Sequence, residues 1–225
     1  MNSLIYIPKL IRVIDDKNRL LFIVEKISGK TLFDFVMEKR VVYIEKVIRY
    51  FRFINNIHDF KNEPITKRGF SHIAIMLIIA AIGAFKRHPG RWFKIAKGTA
   101  VVLVNMPFLL QQKEKALIHR DIGYSNILIG ENNQKYIIDF ELSSYMHPMW
   151  EIVQIVIGCW RREGFNKAFS QSKEMRNILN NNKSKRLYKL FSIYCGIHLL
   201  STHGKNVPKE KAEASKKYFE YALKI

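Results

Sequence analysis

The apolar positions of this chain fall into short β-like runs in two places and into helical stripes elsewhere. Leu10-Ile11-Arg12-Val13-Ile14 and Leu20-Leu21-Phe22-Ile23-Val24 flank Asp15-Asp16-Lys17-Asn18, which predicts a β-hairpin. Ile44, Val47, Ile48, Phe51, Ile54 and Ile57 recur at helical spacing and predict an amphipathic helix over 43–60. Two mostly apolar stretches follow, Ile73 to Phe85 and Thr99 to Leu110, the second broken by Asn105 and Pro107. Asn126-Ile127-Leu128-Ile129 and Tyr136-Ile137-Ile138 are β-prone runs joined by polar turn residues, which predicts a second hairpin. Beyond it the pattern is helical. Met149 to Ile157 reads as a buried central helix, and Lys185 to His203 as a helix with Leu187, Leu190, Ile193, Tyr194 and Ile197 on its apolar side. Pro208 at a helix start and Ala212 to Leu223 give the last one. The expectation is an α+β chain, mostly helical, with two small hairpins.

Length and charge narrow the picture only moderately. A chain of 225 residues can bury a substantial core and makes one domain, or one large lobe with a remnant. Its 38 Lys and Arg against 19 Asp and Glu leave a net charge of +19. Such a balance favours anionic partners: nucleotides, membrane surfaces or nucleic acid. The basic residues are spread along the chain, which also fits a solvated basic surface. Lys173, Lys183, Lys185 and Arg186 are expected on such faces. No nucleic-acid motif or basic–aromatic platform is present in the sequence. The histidines lack metal spacing, and His58 reads as a packed or capping residue. Cys159 and Cys195 lie far apart in apolar contexts without a secretory signal, which predicts reduced core thiols and a cytoplasmic location.

The second hairpin carries the chemistry. It follows His119-Arg120-Asp121-Ile122-Gly123-Tyr124-Ser125-Asn126 and leads into Ile138-Asp139-Phe140-Glu141, with spacings of five and thirteen residues between Asp121, Asn126 and Asp139. Folding the hairpin brings Asn126, at the start of one strand, beside Asp139, at the end of the other. Asp121 lies on the loop just before it. Three oxygen-bearing side chains therefore meet at one end of a ribbon. That set suits a magnesium ion carried in with a nucleotide, which keeps waters and takes few protein ligands.

These residues resemble the catalytic core of protein-kinase-like phosphotransferases, H-R-D followed by four residues and Asn, then D-F-G. The resemblance implies ATP and Mg2+ as cofactors, Asp121 as the base for the acceptor hydroxyl, and Asn126 and Asp139 as magnesium ligands. His119, Arg120 and Glu141 would support the loop, and Glu151 would brace it through backbone amides. Upstream, the hairpin at 10–24 followed by Glu25-Lys26-Ile27-Ser28-Gly29 looks like the last two N-lobe strands and the hinge. The Glu25 carbonyl and the Ile27 amide would then meet the adenine. This divides the chain into an N-lobe remnant and hinge over 1–30 and a helical C-lobe over 31–225 with a helical insertion at about 62–115.

Departures from the pattern refine the resemblance. Gly123 stands where serine/threonine kinases carry lysine, and Glu141 replaces the glycine of D-F-G. About ten residues separate Asp139 from the helix expected near Pro148, too few for a peptide-binding segment. The chain thus resembles the aminoglycoside phosphotransferase, choline kinase and lipopolysaccharide kinase branch, and a small-molecule or saccharide hydroxyl is the expected acceptor. A serine/threonine kinase acting on protein is the disfavoured alternative. The resemblance also places a glycine-rich loop, a strand lysine and a helix glutamate ahead of residue 10, where nine residues stand and none is glycine. This predicts an N-terminally truncated member, with a catalytically inactive nucleotide-sensing or scaffold remnant as the alternative.

The insertion leaves two readings open. Thirteen apolar residues at 73–85 are too short to cross a bilayer. A buried helical hairpin accounts for them. So does an interfacial helix pair, with Lys86, Arg87, Arg91, Lys94 and Lys97 at anionic head groups on the inner face of the membrane. The latter would suit a lipid-linked or lipopolysaccharide-type sugar as acceptor.

Overall fold

The computed structural model describes residues 5–16, 19–31, 34, 70–112, 116–131, 134–140, 142–160, 172–203 and 207–225. The helix expected over 43–60, with His58, and the site candidate Glu141 lie outside the described residues. The elements run β1 (Ile5–Tyr6), β2 (Leu10–Asp16), β3 (Arg19–Val24), β4 (Gly29–Thr31), α1 (Phe70–Arg87), α2 (Trp92–Val104), α3 (Met106–Leu110) and β5 (Ala116–Ile118). They continue with β6 (Ile127–Gly130), β7 (Lys135–Ile137), β8 (Ser144–Met146), α4 (Met149–Trp160), α5 (Lys173–Asn180), α6 (Asn182–Thr202) and α7 (Lys209–Lys224). Short 3-10 turns occupy Pro89–Arg91 and Tyr124–Asn126.

Both expected hairpins form. β2 and β3 pair antiparallel as a separate ribbon whose Ile11, Val13, Phe22 and Ile23 are exposed. β6 and β7 pair antiparallel in the centre of a four-stranded sheet ordered β1-β7-β6-β4. The flanking strands were not legible in the sequence. β1 runs parallel to β7 through Ile5↔Lys135 and Tyr6↔Tyr136, and β4 runs antiparallel to β6 through Gly29↔Gly130 and Thr31↔Leu128. A third ribbon pairs β5 with β8.

The helices pack around α6. Its buried residues include Leu187, Tyr188, Phe191, Ile193, Cys195 and Ile197, so it is enclosed on nearly all sides. It contacts α1, α2, α4, α5 and α7. Gly196 allows the close approach of α7, since a Cβ there would stand 2.9 Å from the Phe219 ring. Polar caps start two helices: the Ser172 hydroxyl accepts from Met175 N at 3.2 Å before α5, and the Asn181 side chain accepts from Ser184 N at 2.9 Å before α6. Cys195 is a buried free thiol, as expected, and burial pushes its pKa up.

The structure adds detail to three expectations. The helix that carries the second apolar stretch begins at Trp92, ahead of Thr99, with Ile95 buried while Lys94 and Lys97 face solvent. Its break falls as expected at Asn105. Arg186 is more than a solvated charge. Its guanidinium donates to Asn105 Oδ1 at 2.6 and 3.0 Å and lies 4.0 Å from the Phe108 ring centre, which clamps the α2–α3 break onto α6. Of the two readings left open for the apolar insertion, burial holds for one face of α1. Ile73, Leu77, Ala80, Ala81 and Ala84 of α1 are buried, but Ile75, Ile78, Ile79 and Ile82 are exposed.

Candidate active site

Strand β5 delivers His119 into the core, where it is 2 % exposed. Its Nε2 lies 2.8 Å from the Ile138 carbonyl, so Nε2 carries the proton and donates. The ring also packs on Phe140 with centroids 4.8 Å apart. Burial lowers the His119 pKa, against the hydrogen bond to Ile138 and the pull of Asp121 and Asp139, and so favours the neutral ring. One histidine thus joins the loop before Asp121 to the strand end before Asp139.

Arg120 and Asp139 adopt left-handed backbone, with φ of 70° and 67°, and no other non-glycine among the described residues has positive φ. Each costs about 1–2 kcal/mol for an L-residue, so surrounding contacts must hold it. Arg120 is held on both sides. Its N–H donates to Glu151 Oε1 at 2.9 Å, and its guanidinium donates to the Leu142 carbonyl at 3.3 Å. Glu151, on α4, is 1 % exposed. Burial raises its pKa from 4.5 to about 7, opposed by the backbone N–H groups of Arg120 and His119 and aided by the Asp121 charge.

Asp121 and Asp139 both face solvent, and Asn126 between them is half-buried. Asn126 Nδ2 donates to the Asp121 carbonyl at 2.8 Å and lies 3.4 Å from Asp121 Oδ2. The Asn126 carbonyl accepts from Ile138 N at 3.0 Å, one residue before Asp139. Gly123 N donates to the Asp121 carbonyl at 2.8 Å and closes the loop. The amide nitrogen of Asn126 is thereby committed to the loop. Its Oδ1, which accepts from the Ser125 hydroxyl at 3.3 Å, is the acceptor atom left over. Among the described residues no group of three or more His, Cys, Asp or Glu gathers as a metal cage.

The proposed hinge lies one strand away. Glu25 N donates to the Lys9 carbonyl at 2.9 Å, and Lys9 N donates to Glu25 Oε1 at 2.9 Å, which closes the β2–β3 ribbon. Ile27 follows, half-buried, and Ser28 O accepts from Glu131 N at 3.3 Å. β4 then runs along β6 as far as Thr31↔Leu128, two residues from Asn126. Sequence reasoning missed that Gly29 is needed here: a Cβ would run into the Ile129 carbonyl oxygen. The Ser-Gly pair after the hinge was the available signal. It also missed the Ile138 and Leu142 carbonyls, which no side-chain pattern marks.

The family model of the phosphotransferase enzyme family (APH) matches residues 8–179. Among solved structures, a thermostable mutant of aminoglycoside phosphotransferase APH(4)-Ia, in a ternary complex with ADP and hygromycin B, superposes with a TM-score of 0.72 at 12 % identity, covering 100 % of this chain and 78 % of that one. Aminoglycoside 2'-phosphotransferase-IIIa, as a GDP complex, gives 0.61 at 14 % identity over 98 % of this chain and 76 % of that one. A choline/ethanolamine kinase family protein from Mesorhizobium loti gives 0.58 at 13 % identity over 97 % and 73 %. At these identities the likeness to the solved structures is one of fold. The family match spans well over half of the sequence and includes the whole of the loop and hairpin described above, so this chain belongs to the phosphotransferase enzyme family.

Proposed function

We propose that this phosphotransferase moves the γ-phosphoryl group of ATP to a hydroxyl of a small molecule or saccharide. The observation that carries the reading is the tie between Asp121, Asn126 and Asp139, made by the Asn126 side chain on one side and the Asn126 carbonyl on the other. Asp121 accepts the acceptor's hydroxyl proton as the new O–P bond forms and the bond to the β-phosphate oxygen breaks, releasing ADP. The exposed carboxylate of Asp139 and Oδ1 of Asn126 fit a magnesium ion that arrives with nucleotide, because such an ion takes few protein oxygens. When bound, it neutralises charge on the β- and γ-phosphates. The backbone at Glu25 and Ile27 takes the adenine, just ahead of β4, which runs along β6 to within two residues of Asn126.

Two further observations favour a small acceptor over a peptide. The chain after Asp139 is tied down almost at once: Ser143 N donates to the Phe140 carbonyl at 2.9 Å, Ser144–Met146 forms β8, and α4 starts at Met149. Several structural neighbours are complexes with ADP, AMP-PNP or GDP, and some of these also hold hygromycin B. Among saccharides, a lipid-linked sugar suits the exposed apolar face of α1. The test is ADP release by the full chain with Mg-ATP and a panel of aminoglycosides, amino alcohols and lipid-linked sugars. Acceptor-dependent release that disappears in Asp121→Asn supports the reading, and release unchanged by that substitution removes it.

A further inference from the structure

The hairpin α1–α2 turns one face to the core and leaves another that no described residue covers. Ile75, Ile78, Ile79 and Ile82 recur at i, i+3, i+4 and i+7 on α1 and are 59, 48, 57 and 50 % exposed. At the turn between the helices, Trp92 and Phe93 are 62 and 67 % exposed and meet edge to face, with centroids 5.9 Å apart. Apolar surface of this extent on a soluble face marks a contact site. Two adjacent exposed aromatics suit the boundary between head groups and acyl chains.

The charges around the turn are mostly basic. Lys86, Arg87, Lys94 and Lys97 are exposed, and Arg91 is half-exposed. Glu220 is shared by Arg91 and Lys94, while Lys86 and Lys97 form no ion pair with a described residue. Beside the turn, an open notch of about 430 Å3 is lined by His88, Gly90, Arg91, Lys94, Lys216 and Glu220. This is a place for a phosphate head group next to aromatics that would enter the acyl boundary. The helices turn through 119° at this point, and no single helix among the described residues is long and apolar enough to cross a bilayer.

We propose that the α1–α2 turn seats this chain on an anionic lipid surface, with Trp92 and Phe93 inserted and Lys86, Arg87, Arg91, Lys94 and Lys97 at the head groups. This goes beyond phosphotransfer and stands without it. Each basic residue near an anionic surface is worth about fivefold in affinity, and raised salt removes that part.

The full chain should co-sediment with vesicles of phosphatidylcholine mixed with phosphatidylglycerol at low salt, and at least about tenfold less with phosphatidylcholine alone. Trp92→Ser with Phe93→Ser should lower binding to anionic vesicles about tenfold or more, at unchanged melting temperature. Lys86→Glu with Lys97→Glu should weaken it by a similar factor and flatten its salt dependence. Absence of binding to anionic vesicles would overturn the proposal. So would full binding by the Trp92 and Phe93 variant, or a wild-type dimer that the same variant dissociates while vesicles stay unbound.

Discussion

Glu151 accepts a hydrogen bond from the backbone N–H of Arg120 at 2.9 Å, so a buried carboxyl on α4 holds the residue that precedes Asp121. This relationship has a pH dependence whose sign can be stated. The pKa rises from 4.5 to about 7 on burial, so between those values the folded chain keeps a proton that the unfolded chain has released. That stabilisation is fully present below about pH 4.5 and is lost as pH rises through 7, about 3 kcal/mol in total. Glu151→Gln keeps an acceptor for the Arg120 N–H and does not titrate. In urea unfolding, its stability relative to wild type should increase from pH 4.5 to about pH 8. Parallel curves would show that this carboxyl does not set the dependence.

His119 works in the opposite direction. Its lowered pKa means that the folded chain binds the proton less readily than the unfolded chain. The stability it provides is present above about pH 6.5 and is lost as pH falls below it. His119→Ala removes the donor to Ile138 O and should cost about 1–3 kcal/mol. It should also reduce turnover, because the link between the loop and Asp139 goes with it. Thermal melts at pH 5 and pH 7.5 check the first part, with the loss smaller at the acid end.

Gly29 tests whether hinge and hairpin act together. Gly29→Ala brings a methyl group against the Ile129 carbonyl and should force β4 away from β6. The expected outcome is a loss of about 1–3 kcal/mol in stability together with weaker ATP binding. Calorimetric titration of the variant measures the second effect directly, and wild-type affinity would show that the hinge does not depend on this pairing.

Gly196 makes the same argument for the helical core. Its Cβ position is 2.9 Å from the ring of Phe219 and 3.2 Å from its Cα, so Gly196→Val should separate α6 from α7. A drop of about 1–3 kcal/mol or more is expected, and Phe219→Ala should cost about 3–5 kcal/mol as a fully buried ring is lost. Denaturant midpoints of both variants measure these losses.

Much of this architecture was legible in the residues, for reasons that differ along the chain. The β6–β7 hairpin, α4 and α6 announce themselves through local periodicity, and Asp121, Asn126 and Asp139 through their spacing around that hairpin. β1 and β4 did not, because strands of two and three residues exist only through partners far away in sequence. α5 was also missed, because charged and polar positions outweigh its apolar ones. The left-handed backbone at Arg120 and Asp139 has no signature in residue type. It is tertiary bonding at Glu151 and Leu142 that holds Arg120 in place.

Calorimetric titration of ATP, with and without magnesium, separates the roles assigned to the two exposed aspartates most directly. Wild type should bind ATP at least about tenfold more tightly with magnesium than without it, Asp121→Asn should retain that gain, and Asp139→Asn should lose it while remaining folded. An undiminished magnesium-dependent gain in Asp139→Asn would contradict the account.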